Sequence, residues 1–221
     1  MGKAGRAQNL QRDAKRAQRL LPELTTAIGD MYGTEAECVE ATALLCIVAG
    51  RLGITARPRA VSLFAYSPSL RAVAITGARG LAEAQERGLA PSDRSVDDYP
   101  GERPWAEVGH MVALTSNPLM VLDPAFRQFS AAGLPRISVL GAVRSATPED
   151  GVWRVWIPGS DVEIAYFCAD DSTGWQEDFE AVKPQLRGDA DTLTEWFRRG
   201  GDADGLRQHI IPRTFFPSDD D

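Results

Sequence analysis

The stretch Cys38-Val-Glu-Ala-Thr-Ala-Leu-Leu-Cys-Ile-Val-Ala-Gly-Arg-Leu-Gly53 decides the fold. Only Glu40, Thr42 and Arg51 are polar between Cys38 and Leu52, so a helix here is apolar on nearly every side. Such a helix belongs in the middle of a domain and not on its surface. Thr34 followed by Glu37 fits a capping box, which predicts Thr34 as the cap and Cys38 as the fourth helical residue. Gly53 predicts the end of the helix.

N-terminal to this segment, residues 3–19 carry Lys3, Arg6, Arg12, Lys15, Arg16 and Arg19 against Asp13 alone, which predicts a basic helical arm. Pro22 is expected to separate that arm from a short helix over Glu23–Met31, because proline is tolerated at a helix start and not in an interior. C-terminal to it, Ile54–Tyr66 reads as a strand and Arg71–Ile75 as a weaker one. A helix follows over Gly80–Arg87. Ala90–Pro104 holds three prolines and a run of charges and reads as a long exposed loop. Strands are expected at Val108–Thr115, Leu119–Asp123, Arg136–Val143, Val152–Ile157 and Val162–Cys168, then helices at Trp175–Leu186, Ala190–Arg199 and Asp204–Ile210. The acidic end, Asp219-Asp220-Asp221, is expected to be disordered. Helices first, then mostly antiparallel strands, then helices again make an α+β chain: a central buried helix packed on an antiparallel β-sheet, with extra N- and C-terminal helices.

The chain has 221 residues, 43% hydrophobic and 25% charged, with a formal net charge of −7. That size and balance suit one core that needs no disulfide or metal. The negative total argues against nucleic-acid and anionic-membrane partners, which need a positive field. Three cysteines, Cys38, Cys46 and Cys168, lack the density of a disulfide scaffold and the close pairs of a zinc site. No leader-like or 18-residue apolar run occurs, so a cytoplasmic, non-membrane protein without metal or cofactor is expected.

Cysteine chemistry needs a thiolate, an imidazole to move its proton and a group to orient the imidazole. Cys38 stands in the first turn of the buried helix; Cys46 lies two turns deeper and Cys168 shares a strand face with Val162, Ile164 and Tyr166. The last two are assigned to core packing. There are two histidines. His209, among Leu206, Ile210 and Ile211, reads as structural or exposed. His110 and Asp123 lie on consecutive strands. If the hairpin closes with Ser116-Asn117, His110 pairs with Asp123, Val112 with Val121 and Leu114 with Leu119, setting imidazole and carboxylate opposite each other.

Cys38 through Leu52-Gly53-Ile-Thr-Ala-Arg57, then Gly109-His110-Met-Val-Ala-Leu and Val121-Leu-Asp123-Pro-Ala-Phe-Arg-Gln128, together resemble the transglutaminase-like branch of the papain-type cysteine enzymes. The likeness covers roughly residues 30 to 130. It implies a transglutaminase-like core over residues 32–170, between a basic helical arm (1–31) and C-terminal helices with an acidic tail (171–221). It further implies Cys38 as nucleophile, His110 as general base and acid, and Asp123 as the residue that orients it. The substrate would be a protein or peptide, or a small amide, cleaved or transferred through a thioester. Glu35, Glu37 and Glu40 flank Cys38 and oppose a thiolate. As fourth helical residue Cys38 would have its own N–H bonded within the helix, so an oxyanion hole would need another donor, from Tyr32, Trp105 or a loop N–H. The alternative is a binding or assembly protein that keeps the fold without the chemistry and uses its basic arm.

Overall fold

The computed structural model describes residues 3–32, 37–89, 109–116, 118–143, 145–147, 151–169 and 174–209. Helix α1 spans Lys3–Tyr32 and α2 Cys38–Arg51; strands β1 (Ala56–Ser67) and β2 (Ala72–Thr76) lead to α3 (Gly77–Glu86). Strands β3 (His110–Ser116) and β4 (Leu119–Asp123) precede a 3-10 helix over Pro124–Ala132. Then come β5 (Val139–Ala142), β6 (Ser145–Thr147), β7 (Val152–Trp156) and β8 (Glu163–Cys168), and the helices α4 (Trp175–Val182), α5 (Arg187–Arg198) and α6 (Ala203–His209). The expected loop over Ala90–Pro104 lies outside the described residues, as do the acidic end and the side chain of His209.

The chain is α+β, with an antiparallel sheet against a buried helix. Along α2, Ala41, Ala43, Leu44, Leu45, Val48 and Ala49 are fully buried. Each of its leucines and valines there contributes about 1.5–3 kcal/mol by leaving water. Thr42, the one polar residue in this run, donates from Oγ1 to the Met111 carbonyl at 3.1 Å and so ties the helix to β3 without an unsatisfied hydroxyl.

Two expectations about helices are corrected. Pro22 lies inside α1, which runs unbroken through it. Leu20, Leu21, Leu24, Ala27 and Ile28 form one buried stripe at helical spacing across the proline and belong to the same core as α2. Packing of that stripe outweighs the lost N–H, whose cost of about 3 kcal/mol is comparable to one or two buried leucines. The start of α2 also differs. Glu37 is its cap, with φ −105° and ψ 35° and no side-chain cap bond, so Cys38 is its first residue, not its fourth. The apolar block begins at Cys38, and burying Cys38 and Val39 sets the start, whereas half-exposed Glu37 stays outside. Thr34 lies outside the described residues.

The sheet runs β5-β4-β3-β1-β8-β7-β6, with β2 added against β1, and every pair is antiparallel. Its two edges approach each other. Strand β5 pairs with β4, and β6, a few residues on, pairs with β7. Gly141 of β5 meets Val155 of β7 so closely that an added methyl group would sit 2.1 Å from Val155 Cγ1. Only glycine lets these strands touch. The interior of this curl holds Val61, Leu63, Val112, Val121, Phe126, Phe129, Ile164 and Tyr166. Met111, Ala113, Met120 and Leu122 point the other way, to α2. The C-terminal helices join that second cluster through Phe179, Leu193, Phe197 and Leu206.

The β3–β4 register is shifted from the expected one. Ala113 pairs with Leu122, Leu114 with Val121, Thr115 with Met120 and Ser116 with Leu119. The reason is Pro118. The expected register needs the N–H of residue 118 to close the turn, which proline lacks; the observed one puts Pro118 in the turn and closes on Leu119. Thr115 Oγ1 donates to the Pro118 carbonyl at 2.6 Å and fixes the turn. The shift is two places, so it preserves the faces. Asp123 falls opposite Val112, and His110 becomes its diagonal neighbour on the same face.

Candidate active site

His110 opens β3 directly after Gly109, whose φ is +76°. A methyl group at 109 would lie 2.8 Å from Thr76 Cβ, so glycine is required here both for its backbone angle and for the close approach of β2. The strand therefore begins at a fixed point against Thr76, and the imidazole is delivered into the curl. Asp123 closes β4, and Pro124 immediately starts the 3-10 helix. That helix puts Ala125 into the α2 cluster and Phe126 and Phe129 into the sheet interior, bridging the two.

The diagonal pair meets. His110 Nε2–H donates to Asp123 Oδ2 at 2.9 Å, and both side chains are fully buried. The Cys38 sulfur lies near enough to the same imidazole to favour its protonated form. Nε2 is committed to the carboxylate, which leaves Nδ1 as the ring nitrogen whose proton can change. Cys38, His110 and Asp123 thus converge although they come from a helix and two strands. Cys38 is 2% exposed. As first residue of α2 it has no intrahelical acceptor for its N–H; the first bond of this kind runs from Ala41 N to the Glu37 carbonyl, at 2.9 Å. The sequence expectation that this N–H is already used inside the helix is therefore corrected. The positive end of the helix faces the sulfur.

Two neighbours escaped the sequence reading as site residues. Tyr166, on β8, donates its phenolic O–H to Asp123 Oδ2 at 2.9 Å. In a flat sheet β8 and β4 lie three strand spacings apart, roughly 14 Å, so this contact exists only because the sheet curls. A tyrosine on an otherwise apolar strand face was the signal, because a buried phenol needs a partner. Gln128, on the 3-10 helix and 6% exposed, places its Nε2 3.0 Å from His110 Nδ1. Its presence in the stretch after Asp123 was visible, but no strand or helix periodicity aims it at the imidazole. Phe129 packs edge-on against the His110 ring, with centroids 5.2 Å apart.

Burial by itself disfavours the imidazolium, but the Asp123 carboxylate and then the Cys38 sulfur outweigh it, and His110 is pushed up to about 10 from 6.5. The folded imidazole accordingly keeps its second proton, on Nδ1, through neutral pH. A raised folded pKa means that the native state holds this proton more tightly than the unfolded chain. The associated stability is fully present below about pH 6.5 and is lost as pH rises through about 10. Urea midpoints of wild type and His110→Gln should therefore converge across that window; a constant gap contradicts the linkage. Tyr166 is held well above its ordinary value by burial and by Asp123. Asp123 Oδ1 is buried and has no hydrogen-bond partner among the described residues.

Burial pushes Cys46 up to about 12, consistent with packing and not with a nucleophile. Cys168 is buried at the end of β8. Glu35 lies outside the described residues. Glu37 and Glu40 bear on the Tyr32 hydroxyl, whose proton is held above its ordinary range first by burial and then by Asp189. Among the described residues no group of three or more His, Cys, Asp or Glu side chains could hold a metal ion, and no helix is long and apolar enough to cross a membrane.

An α+β chain in which a buried cysteine at a helix start meets a histidine–aspartate pair at the ends of a strand hairpin is the class that fold and geometry define. No family model, curated protein or solved structure matches the chain.

Proposed function

We propose that this chain is a transglutaminase-like, papain-type cysteine enzyme that cleaves or transfers the acyl group of a carboxamide or peptide bond. The observation that carries the reading is a single imidazole bound by Asp123 on one nitrogen and engaged by the Cys38 thiol. In the proposed reaction the thiol proton passes first to Nδ1, and Sγ then attacks the carbonyl carbon; the C–S bond forms as the C=O electron pair moves to oxygen. Collapse of the adduct breaks the C–N bond, and the amine leaves with that proton. Water then adds to the thioester, giving the acid and returning a proton through Nδ1 to sulfur. A second amine in place of water would give transfer. Hydrolysis is the preferred outcome. Asp123 keeps the proton of Nε2 in place and stabilises the imidazolium, so that protonation changes fall on Nδ1.

One observation favours the second reading, a binding protein without the chemistry: Cys38 is 2% exposed and His110 not at all, while Lys15 and Arg19 of α1 are exposed. Treatment with p-nitrophenyl acetate separates the two. The proposal expects one acetyl group on Cys38 by mass spectrometry, with release of p-nitrophenolate, and none on the folded Cys38→Ala variant. Release that is equal in both, with Cys38 unmodified, contradicts the enzyme and leaves the partner-binding reading.

A further inference from the structure

We infer that the cavity between α1 and the seam of the curled sheet is a docking site for a partner polypeptide, one whose segment is acidic and carries a single aromatic or branched apolar side chain. The inference does not depend on the cysteine chemistry. The cavity has a volume of about 250 Å³ and lies where α1, β5 and the end of β7 meet. Pro22, Ile137, Val139, Leu140, Val155 and Trp156 supply its apolar walls. Val139 and Val155 are buried, whereas Trp156 is 39% exposed, so the cavity opens to water beside an uncovered indole. An engineered apolar cavity of about 150 Å³ takes a benzene ring; this one has room for the side chain of phenylalanine or leucine. Covering hydrocarbon that the free chain leaves wet is the driving force.

Charge around the mouth selects the rest of the partner. Successive helical residues turn by about 100°, so Lys15, Arg19, Pro22 and Thr26 share one face of α1, within about 60° of arc. Pro22 and Thr26 line the cavity. Arg19 and Lys15 stand roughly 4.5 Å and roughly 10.5 Å along the axis from Pro22. Both are exposed, as is Arg136, which directly precedes Ile137. None of these three cations is held by a carboxylate among the described residues. The acidic side chains of this part of α1 face α6 instead: Glu23 accepts from the Ala203 N–H at 2.9 Å, and Asp30 holds Arg207 at 2.6 Å. An extended chain rises about 3.3 Å per residue, so carboxylates about two to four residues from a seated apolar anchor reach Arg19 and Lys15. A nucleobase on Trp156 with phosphates on the cations is the competing fit. It is disfavoured because the base would bury its polar edges against hydrocarbon.

The test follows the anisotropy of a fluorescein-labelled peptide, Glu-Asp-Glu-Gly-Phe-Gly-Glu-Asp-Glu, titrated with the full chain. Binding should saturate at about 50 mM salt and weaken by about tenfold or more at about 500 mM. Exchanging the peptide's phenylalanine for serine should weaken it about 10–100-fold, and Trp156→Ser in the protein about tenfold. Lys15→Glu combined with Arg19→Glu, at two exposed positions, should weaken it by about tenfold or more. Absence of saturable binding up to about 1 mM protein, equal binding of the phenylalanine and serine peptides, or binding indifferent to Lys15 and Arg19 overturns the inference. Tighter binding of an oligothymidylate, abolished by Trp156→Ser, would assign the surface to nucleic acid and overturn it as well. So would a concentration-dependent dimer that Trp156→Ser dissociates, because a second copy would then occupy the cavity.

Discussion

Replacing His110 by alanine is expected to lower acetylation of Cys38 by p-nitrophenyl acetate about 10²–10⁴-fold at neutral pH, the range set by removing a positioned general base. The thiol loses the imidazole that lies beside it. The substitution also strips Asp123 of the Nε2–H, leaving a fully buried carboxylate with the Tyr166 hydroxyl as its one side-chain donor among the described residues. A buried charge robbed of one partner costs about 3–5 kcal/mol. Near-UV circular dichroism at low temperature must therefore show a folded variant before rates are compared. His110→Gln, with an amide that can still donate toward Asp123, separates lost chemistry from lost stability. A folded His110→Ala variant that acetylates at the wild-type rate is incompatible with the proposed mechanism.

Asp123→Asn is expected to be nearly as severe, with a loss of about 10²–10⁴-fold in acetylation and a lower urea midpoint. If the amide oxygen takes the Oδ2 position, it still accepts from His110 and Tyr166, but the NH2 group then fills the Oδ1 position, where the wild-type oxygen has no partner. A buried donor without an acceptor costs about 1–3 kcal/mol. If the amide turns over, NH2 faces two donors, and His110 must move its proton to Nδ1, the nitrogen that should receive the proton from sulfur. Either orientation also removes the charge that offsets the desolvation of the imidazolium, so the pH window described for His110 should narrow. Asp123→Asn with unchanged acetylation and an unchanged window would show that the carboxylate neither orients nor charges the imidazole.

Much of this site is legible in the sequence. Cys38 stood out because it is the first residue of an apolar block, and the block itself announced a buried helix. His110 and Asp123 stood out because an alternating strand pattern put them on one face of consecutive strands. The pairing expected from a turn closed by Ser116-Asn117 is two places out of register with the observed one. A two-place error leaves the faces unchanged, and side chains as long as histidine and aspartate bridge the diagonal, so the partnership survived the wrong ladder. The capping box failed for a different reason: a local side-chain pattern competes with the burial of Cys38 and Val39, and burial sets the start of α2. The break at Pro22 failed likewise, against a buried stripe that runs through the proline.

What the chain dictates by itself is local and periodic: which segments are helical or extended, which faces are apolar, and that one cysteine, one histidine and one aspartate fall at segment ends. Those properties follow from side-chain chemistry repeated at 3.6 or 2 residues. The curl of the sheet, by contrast, required three dimensions. It alone brings Tyr166 across to Asp123 and lets β5 touch β7 at Gly141. Contacts between strands distant in order depend on twist and closure summed over the whole sheet, and no window of sequence contains that sum.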